Sequence, residues 1–150
     1  MLPEQKIQNS PHGGGMKAEA ACSANILIAE DSESNQVLLS LYFNNTGCNL
    51  VFAGNGVEAV DIFKAGSFDL VLMDIFMPVM DGLDATRAIR DFEREHGLDP
   101  VPVVAVSANA FAEDKRRSLD AGCSDFMPKP IRKAALLEFI SSVLGDKARL

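Results

Sequence analysis

The stretch Asp69-Leu70-Val71-Leu72-Met73-Asp74-Ile75-Phe76-Met77-Pro78-Val79-Met80-Asp81-Gly82 decides the fold. After its opening acid, the run to Met73 is continuously apolar, and it stops at the carboxylate of Asp74. A short unbroken apolar run between turn signals is the pattern of a strand buried on both faces, as in a parallel sheet. The loop from Ile75 to Asp81 holds Pro78, which cannot donate to a sheet ladder. From about Gly82 to Glu95, Leu83, Ala85, Ala88, Ile89 and Phe92 recur at helical spacing and predict an amphipathic helix with those residues inward.

The same strand-then-helix unit repeats on either side. Ile26-Leu27-Ile28-Ala29 predicts a strand that ends in Glu30-Asp31. Asp31-Ser32 can cap a helix carrying Val37, Leu38, Leu41 and Tyr42 on one side, with Val37, Leu38 and Leu41 facing the core and Gly47 placed to stop it. Asn49 to Ala53 reads as a strand, and Val57, Ala59, Val60 and Phe63 predict a helix that Gly66 ends. Val103 to Val106 is a strand stopping at Ser107, followed by a helix over Ala112 to Ala121 that Gly122 ends. Asp125 to Met127 is a short strand, broken at Lys129-Pro130. A last helix, about Arg132 to Leu144, groups Leu136, Leu137, Ile140 and Val143. Strands alternating with amphipathic helices give an α/β fold: a doubly wound, five-stranded parallel sheet with helices on both faces.

Composition bounds the rest. A chain of 150 residues, 47% hydrophobic and 23% charged, holds one domain with a real core. Residues 1–24 include Gly13-Gly14-Gly15 and lack apolar periodicity, so they read as a flexible N-terminal tail or linker; 25–146 is the folded domain and 147–150 a short C-terminal tail. A net charge of −7 argues against nucleic-acid binding, which needs a basic footprint. No apolar run approaches a membrane span, and no secretion signal opens the chain, so the expected setting is cytoplasmic. Cys22, Cys48 and Cys123 are odd in number and far apart, and read as reduced thiols.

In an open parallel sheet, chemistry gathers at the carboxyl ends of the strands. Those ends carry Glu30-Asp31, Asp74, Ser107 and Lys129. Each has a bland reading: Asp31 as a helix cap, Asp74 as a turn residue, Ser107 as a loop hydroxyl, Lys129 as a solvated charge. Their joint position at one end of one sheet favours a common purpose. Neighbouring carboxylates repel unless a cation sits among them, and Mg²⁺ takes oxygen ligands, typically one or two carboxylates with waters and phosphate oxygens. Asp74 is then a candidate nucleophile forming an aspartyl-phosphate, with Lys129 and Ser107 as partners for phosphoryl oxygens.

At these residues the sequence resembles the receiver domains of two-component signalling, over roughly Asn25 to Leu144. The pattern is an acceptor Asp74 with Pro78 four residues on and Gly82 eight on, together with Glu30-Asp31, Ser107 and Lys129-Pro130. The resemblance implies a flavodoxin-like strand order 2-1-3-4-5 and a cis Lys129–Pro130 bond. It implies that Asp74 takes phosphate from a phosphohistidine, supplied by a histidine kinase or a histidine phosphotransfer domain. Asp31, Asp74 and the backbone carbonyl of Phe76 would bind Mg²⁺, with Glu30 acting through water. Ser107 and Lys129 would hold phosphoryl oxygens, and Ser107 would couple the site to Phe126, a switch position. Phe76 and Asn109 occupy positions that flank the approach of water and so tune phosphate lifetime.

Two departures are small: Glu30 replaces the commoner Asp, and Ser107 the commoner Thr. The stretches Glu30 to Gln36 and Ser107 to Ala110 look most like receivers of hybrid sensor kinases. In a relay partner's complex the first helix would dock through its start, around Asn35 and Gln36. Only six residues follow Leu144, so output is expected through a downstream partner. Three rival readings remain. A haloacid-dehalogenase-type phosphatase needs a second Asp where Phe76 stands. A flavodoxin-like cofactor binder needs a phosphate-cradling loop after the first strand. A receiver-like interaction module that takes no phosphate usually lacks the acidic pair or the lysine.

Overall fold

The computed structural model describes residues 23–147 apart from Ala110. The expected tails over 1–24 and 147–150 lie, except for Ser23, Ala24 and Lys147, outside the described residues. The elements follow in strict alternation: β1 (Asn25–Ala29), α1 (Glu33–Tyr42), β2 (Asn49–Ala53), α2 (Gly56–Ala65), β3 (Leu70–Asp74), α3 (Gly82–Glu95), β4 (Val103–Ser107), α4 (Ala112–Ala121), β5 (Asp125–Pro128) and α5 (Lys133–Leu144). A 3₁₀ turn at Gly145–Lys147 follows. All strand pairs are parallel, in the order β2-β1-β3-β4-β5.

Local chemistry sets the helix starts. Ser32, Asn55 and Asp81 are N-caps whose side chains accept from the amides of Asn35, Glu58 and Asp84, each relieving an orphan donor of the first turn. Gly122 closes α4 at φ 111°, a left-handed conformation that a side chain disfavours.

The central strands are buried throughout except at Asn25, and their side chains alternate between two cores. Leu27, Ala29, Val71, Met73, Val103 and Ala105 face α2, α3 and α4, with Ala59, Phe63, Leu83 and Ile89. Ile26, Ile28, Leu70, Leu72 and Val104 face α1 and α5, with Leu39, Phe43, Leu136 and Ile140. Period-two alternation in the strands thus produces the two-sided winding that the continuous apolar runs predict.

The first helix departs from expectation. Val37, Leu38 and Leu41 are exposed, at 58%, 43% and 57%, while Leu39 and Phe43 are buried. Asn35 and Gln36, expected to be the exposed start, are only half-exposed. The segment has two apolar stripes, and counting apolar residues alone selects the wider one. The sheet takes Leu39, Tyr42 and Phe43, which lie three and four residues apart and so share one side. Tyr42 then fixes the helix by donating its hydroxyl to the Ile131 carbonyl at 2.9 Å. The helix also ends at Tyr42, with Phe43 as its cap, ahead of Gly47.

The reading of three reduced thiols holds for Cys123, which is free and buried, and not for Cys48, which is disulfide-bonded. Isolated cysteines at long separation carry no spacing signal of such a bond.

Leu39→Ala is expected to cost about 2–5 kcal/mol, as for a buried leucine. Leu41→Ala is expected to stay within about 0.5 kcal/mol. Urea denaturation of the two variants checks the assignment, and equal costs contradict it.

Candidate functional site

The register sets Asp74 beside Val106 and Ala29 beside Met73, so the carboxyl ends of β1, β3 and β4 finish at one level. Glu30 leaves β1 there, 4% exposed, and Asp74 ends β3, 5% exposed. Ser107 closes β4, fully buried. Lys129 follows β5, and its amide donates to the Ser107 carbonyl at 2.9 Å. The Lys129–Pro130 bond is cis.

The Lys129 ammonium bridges the buried acids, 3.1 Å from Asp74 Oδ2 and 3.2 Å from Glu30 Oε1. Glu30 is further held by the Ser32 amide at 3.0 Å and the Asn35 side-chain amide at 3.3 Å, both on Oε2. Gln36 donates to the Glu30 backbone carbonyl at 2.7 Å. The half-burial of Asn35 and Gln36 has this cause: they brace the acidic pair. Sequence reading missed that role, although amides in the first turn after an acidic strand end are a usable signal. Ser32 acts as the cap, so Asp31 is exposed and free of that duty.

Glu30, Asp31 and Asp74 each offer a carboxylate oxygen, and these oxygens lie within 4.8 Å of one another. Three carboxylates face one ammonium, an excess of about two negative charges, and the donor set is all oxygen. Such a set fits a hard divalent cation, and specifically the Mg²⁺ preference for carboxylate oxygens with open positions for water and phosphate.

Burial pushes the Asp74 carboxyl above its ordinary value, and the Glu30 charge pushes the same way; the Lys129 contact and the Phe76 amide oppose both. Burial alone would lower the Lys129 ammonium, but the hydrogen bonds and charges of Asp74 and Glu30 outweigh it and hold that group above its ordinary value.

The loop after β3 explains the glycine eight residues beyond Asp74. A Cβ on Gly82 would stand 2.2 Å from the Asp74 backbone oxygen, and the Gly82 amide donates to the Ile75 carbonyl at 2.8 Å. Gly56 is constrained likewise, since a Cβ there would lie 2.4 Å from the Met80 carbonyl. Only bare backbone lets the start of α3 pack against the end of β3.

The remaining expected residues surround this centre. Phe76 is 53% exposed beside Asp74, and its amide donates to Asp74 Oδ1 at 3.3 Å. Asn109 is exposed, and its amide donates to Ser107 Oγ at 3.0 Å. Phe126 sits one strand away, opposite Ala105, half-buried against the α2–α4 core.

Comparison with known proteins agrees with this arrangement. Residues 26–141 match the family model of the response regulator receiver domain. The chain is 37% identical over 124 residues to a hybrid signal transduction histidine kinase M of Dictyostelium discoideum, covering 81% of this chain and 5% of that protein. It is 36% identical to the sensor histidine kinase GacS of Pseudomonas protegens, covering 80% of this chain and 13% of that protein. The chain therefore spans a small part of these curated relatives. Among solved structures, it resembles the Saccharomyces cerevisiae Ssk1 receiver domain co-crystallised with the histidine phosphotransfer protein Ypd1, at TM-score 0.80 and 36% identity, covering 85% of this chain and 93% of that one. It also resembles the receiver domain of a Pseudomonas aeruginosa sensor histidine kinase with magnesium coordinated in its active-site cleft, at TM-score 0.73 and 32% identity, covering 82% and 98%. The chain belongs to the response regulator receiver domain family, a class of signalling domains.

The raised Asp74 carboxyl makes a pH prediction for the metal-free protein. The folded state keeps this proton to a higher pH than the unfolded chain does. Its contribution is therefore present at pH below the unfolded carboxylate value and is lost as pH rises through the folded value. Urea midpoints followed from acid to neutral pH are expected to fall relative to Asp74→Asn as pH rises, and added Mg²⁺ is expected to close that gap. A difference that grows in the opposite direction contradicts the assignment.

Proposed function

We propose that Asp74 accepts a phosphoryl group from a phosphohistidine in a Mg²⁺-dependent step, and that the phosphorylated domain changes which partner it binds. The observation that carries this is a buried carboxylate at a strand end, bridged by Lys129 and flanked by two further carboxylates. A carboxylate oxygen of Asp74 attacks phosphorus, the P–N bond breaks, and the imidazole leaves with the electron pair. Asp31, Asp74 and the Phe76 backbone carbonyl would hold the cation, with Glu30 acting through water. When bound, the cation supplies charge neutralisation on the phosphoryl oxygens. Lys129 and Ser107 take those oxygens, and the turning of Ser107 draws Phe126 inward. The working unit is 25–146, in a cytoplasmic setting with its kinase. A receiver-like module that takes no phosphate has less support, because the acidic pair and the acceptor cluster together and the lysine bridges Glu30 to Asp74.

The donor is a histidine kinase or a histidine phosphotransfer domain. Val37, Leu38 and Leu41 give α1 an exposed apolar stripe next to the site, and a helical partner can bury it while presenting its histidine to Asp74. The yeast receiver co-crystallised with a phosphotransfer protein supports this choice. The stripe replaces Asn35 and Gln36 as the docking surface, because those two are occupied with Glu30.

Acetyl phosphate is expected to label the protein only with Mg²⁺ present, and Asp74→Asn is expected to lose the label. Undiminished labelling of that variant refutes the reading.

Loss of the phosphate needs a water placed in line with the phosphorus–oxygen bond. Phe76 is bulky and cannot hydrogen-bond that water, and Asn109 is uncharged and a poor base. Self-dephosphorylation is therefore slow. Phe76→Asn is expected to speed phosphate loss several-fold in a chase assay, whereas an unchanged or slower loss sinks the shielding argument.

A further inference from the structure

Among the described residues, the non-glycine residues with positive φ are Asn45 and Val79, at 67° and 70°. Asparagine tolerates that region because its short polar side chain bonds locally; a β-branched side chain does not suit it. The conformation at Val79 is imposed from both sides. The Gly56 amide holds the Met80 carbonyl at 2.9 Å, and the Gly82 amide is held on the Ile75 carbonyl at 2.8 Å. Between these pins the chain reverses within three residues, the Met80 amide donating to the Pro78 carbonyl at 2.7 Å. With a positive φ at its centre, this is the rare and strained form of the γ-turn. Glycine would fit it without strain. The valine that stands there is 81% exposed, so its isopropyl group buries little within the chain.

The loop after β4 carries a second anomaly. Helix α4 opens on Phe111, which is 70% exposed and whose side chain cannot accept from the orphan amides of the first turn. A serine there would cap the helix, as Ser32, Asn55 and Asp81 cap α1, α2 and α3. Both residues break a local rule and gain little burial in return, and such breaks concentrate at functional sites. Both also stand at the rim of the carboxylate cluster. Val79 lies on the loop that follows Asp74, and Phe111 on the loop that follows Ser107, at strand ends that finish at one level.

We infer that Val79 and Phe111 are contact residues for the protein that phosphorylates Asp74, retained as apolar side chains although they destabilise their own loops. The inference rests on the phosphoacceptor reading and adds a second contact region to it. Asp74 is 5% exposed, so a macromolecule that brings phosphorus to its oxygen presses on the loops around it. The Val79 loop leads into α3, which packs on the opposite face of the sheet from α1. The donor is thereby met on both sides of the reacting atom, by the α1 stripe on one and by Val79 on the other. A small donor such as phosphoramidate reaches Asp74 without needing either.

The test sets folding stability against transfer in the full chain. Val79→Gly and Val79→Asn both suit a positive φ, and both remove the isopropyl group. Each is expected to raise the urea midpoint. Each is also expected to lower kcat/KM for transfer from a phosphorylated histidine phosphotransfer domain, selected as one that labels wild type, by about tenfold, the worth of burying one valine. Agreement between the two variants excludes added loop mobility as the cause. Phe111→Ser is expected to move both quantities in the same directions. Val79→Ile keeps the strain and the apolar contact and is expected to match wild type. Labelling by phosphoramidate is expected to be unchanged throughout. A variant that leaves transfer from the protein donor unchanged strikes its residue from the contact, and an unchanged or lower midpoint for both Val79→Gly and Val79→Asn overturns the argument from strain. Transfer that falls equally with phosphoramidate overturns the inference too, because the chemistry and not the contact has changed. If phosphoramidate labels wild-type Asp74 and no phosphotransfer domain does, the contact has no occupant and this inference fails alone. If neither donor labels Asp74, the phosphoacceptor reading fails and takes the inference with it.

Discussion

Two buried carboxylates at the ends of adjacent strands are the constraint on which this structure turns. Glu30 and Asp74 are each nearly inaccessible, and the Lys129 ammonium at 3.1–3.2 Å from both is what keeps them there. Buried charge is tolerated only when paired and hydrogen-bonded. The rest of the site answers that demand. The Ser32 amide, the Asn35 side chain and the Phe76 amide supply donors. The pairing stays incomplete, because Asp31 adds a third carboxylate and no second ammonium joins the cluster among the described residues. The deficit of positive charge leaves a place that suits a divalent cation.

Much of this was legible in the sequence because burial on both faces writes itself as unbroken apolar runs. Ile26 to Ala29, Leu70 to Met73 and Val103 to Val106 each end in a polar residue, and each of those residues lies at the site. The order of strands was not readable from the runs themselves; it came with the resemblance that the Asp74, Pro78 and Gly82 spacing carries. What escaped was anything decided by which of two faces wins. In α1, Val37, Leu38 and Leu41 compete with Leu39, Tyr42 and Phe43, and pattern alone cannot weigh a tyrosine that reaches a carbonyl 89 positions away. The bracing of Glu30 by Asn35 and Gln36 was equally hidden, since an amide side chain does not announce its partner.

The misread helix matters for function. An apolar stripe on a surface helix beside a polar reactive centre divides labour between affinity and chemistry. The stripe can be buried by any helical partner of suitable shape, whereas the carboxylates and lysine accept only one kind of group. On the proposed reading, partner affinity draws on Val37, Leu38 and Leu41, and reactivity on the carboxylates and the lysine.

The backbone of Ser23 donates to the Lys147 carbonyl at 2.9 Å, and the Asp69 carboxylate ties Lys147 at 2.6 Å to the entrance of β1, whose Asn25 amide it also holds at 2.8 Å. Entry and exit of the fold are thus stitched together at the amino ends of the strands, the pole opposite Asp74. The three bonds that join these two ends lie remote from the carboxylates, so the frame is closed at one pole of the sheet and the other pole is left to the chemistry.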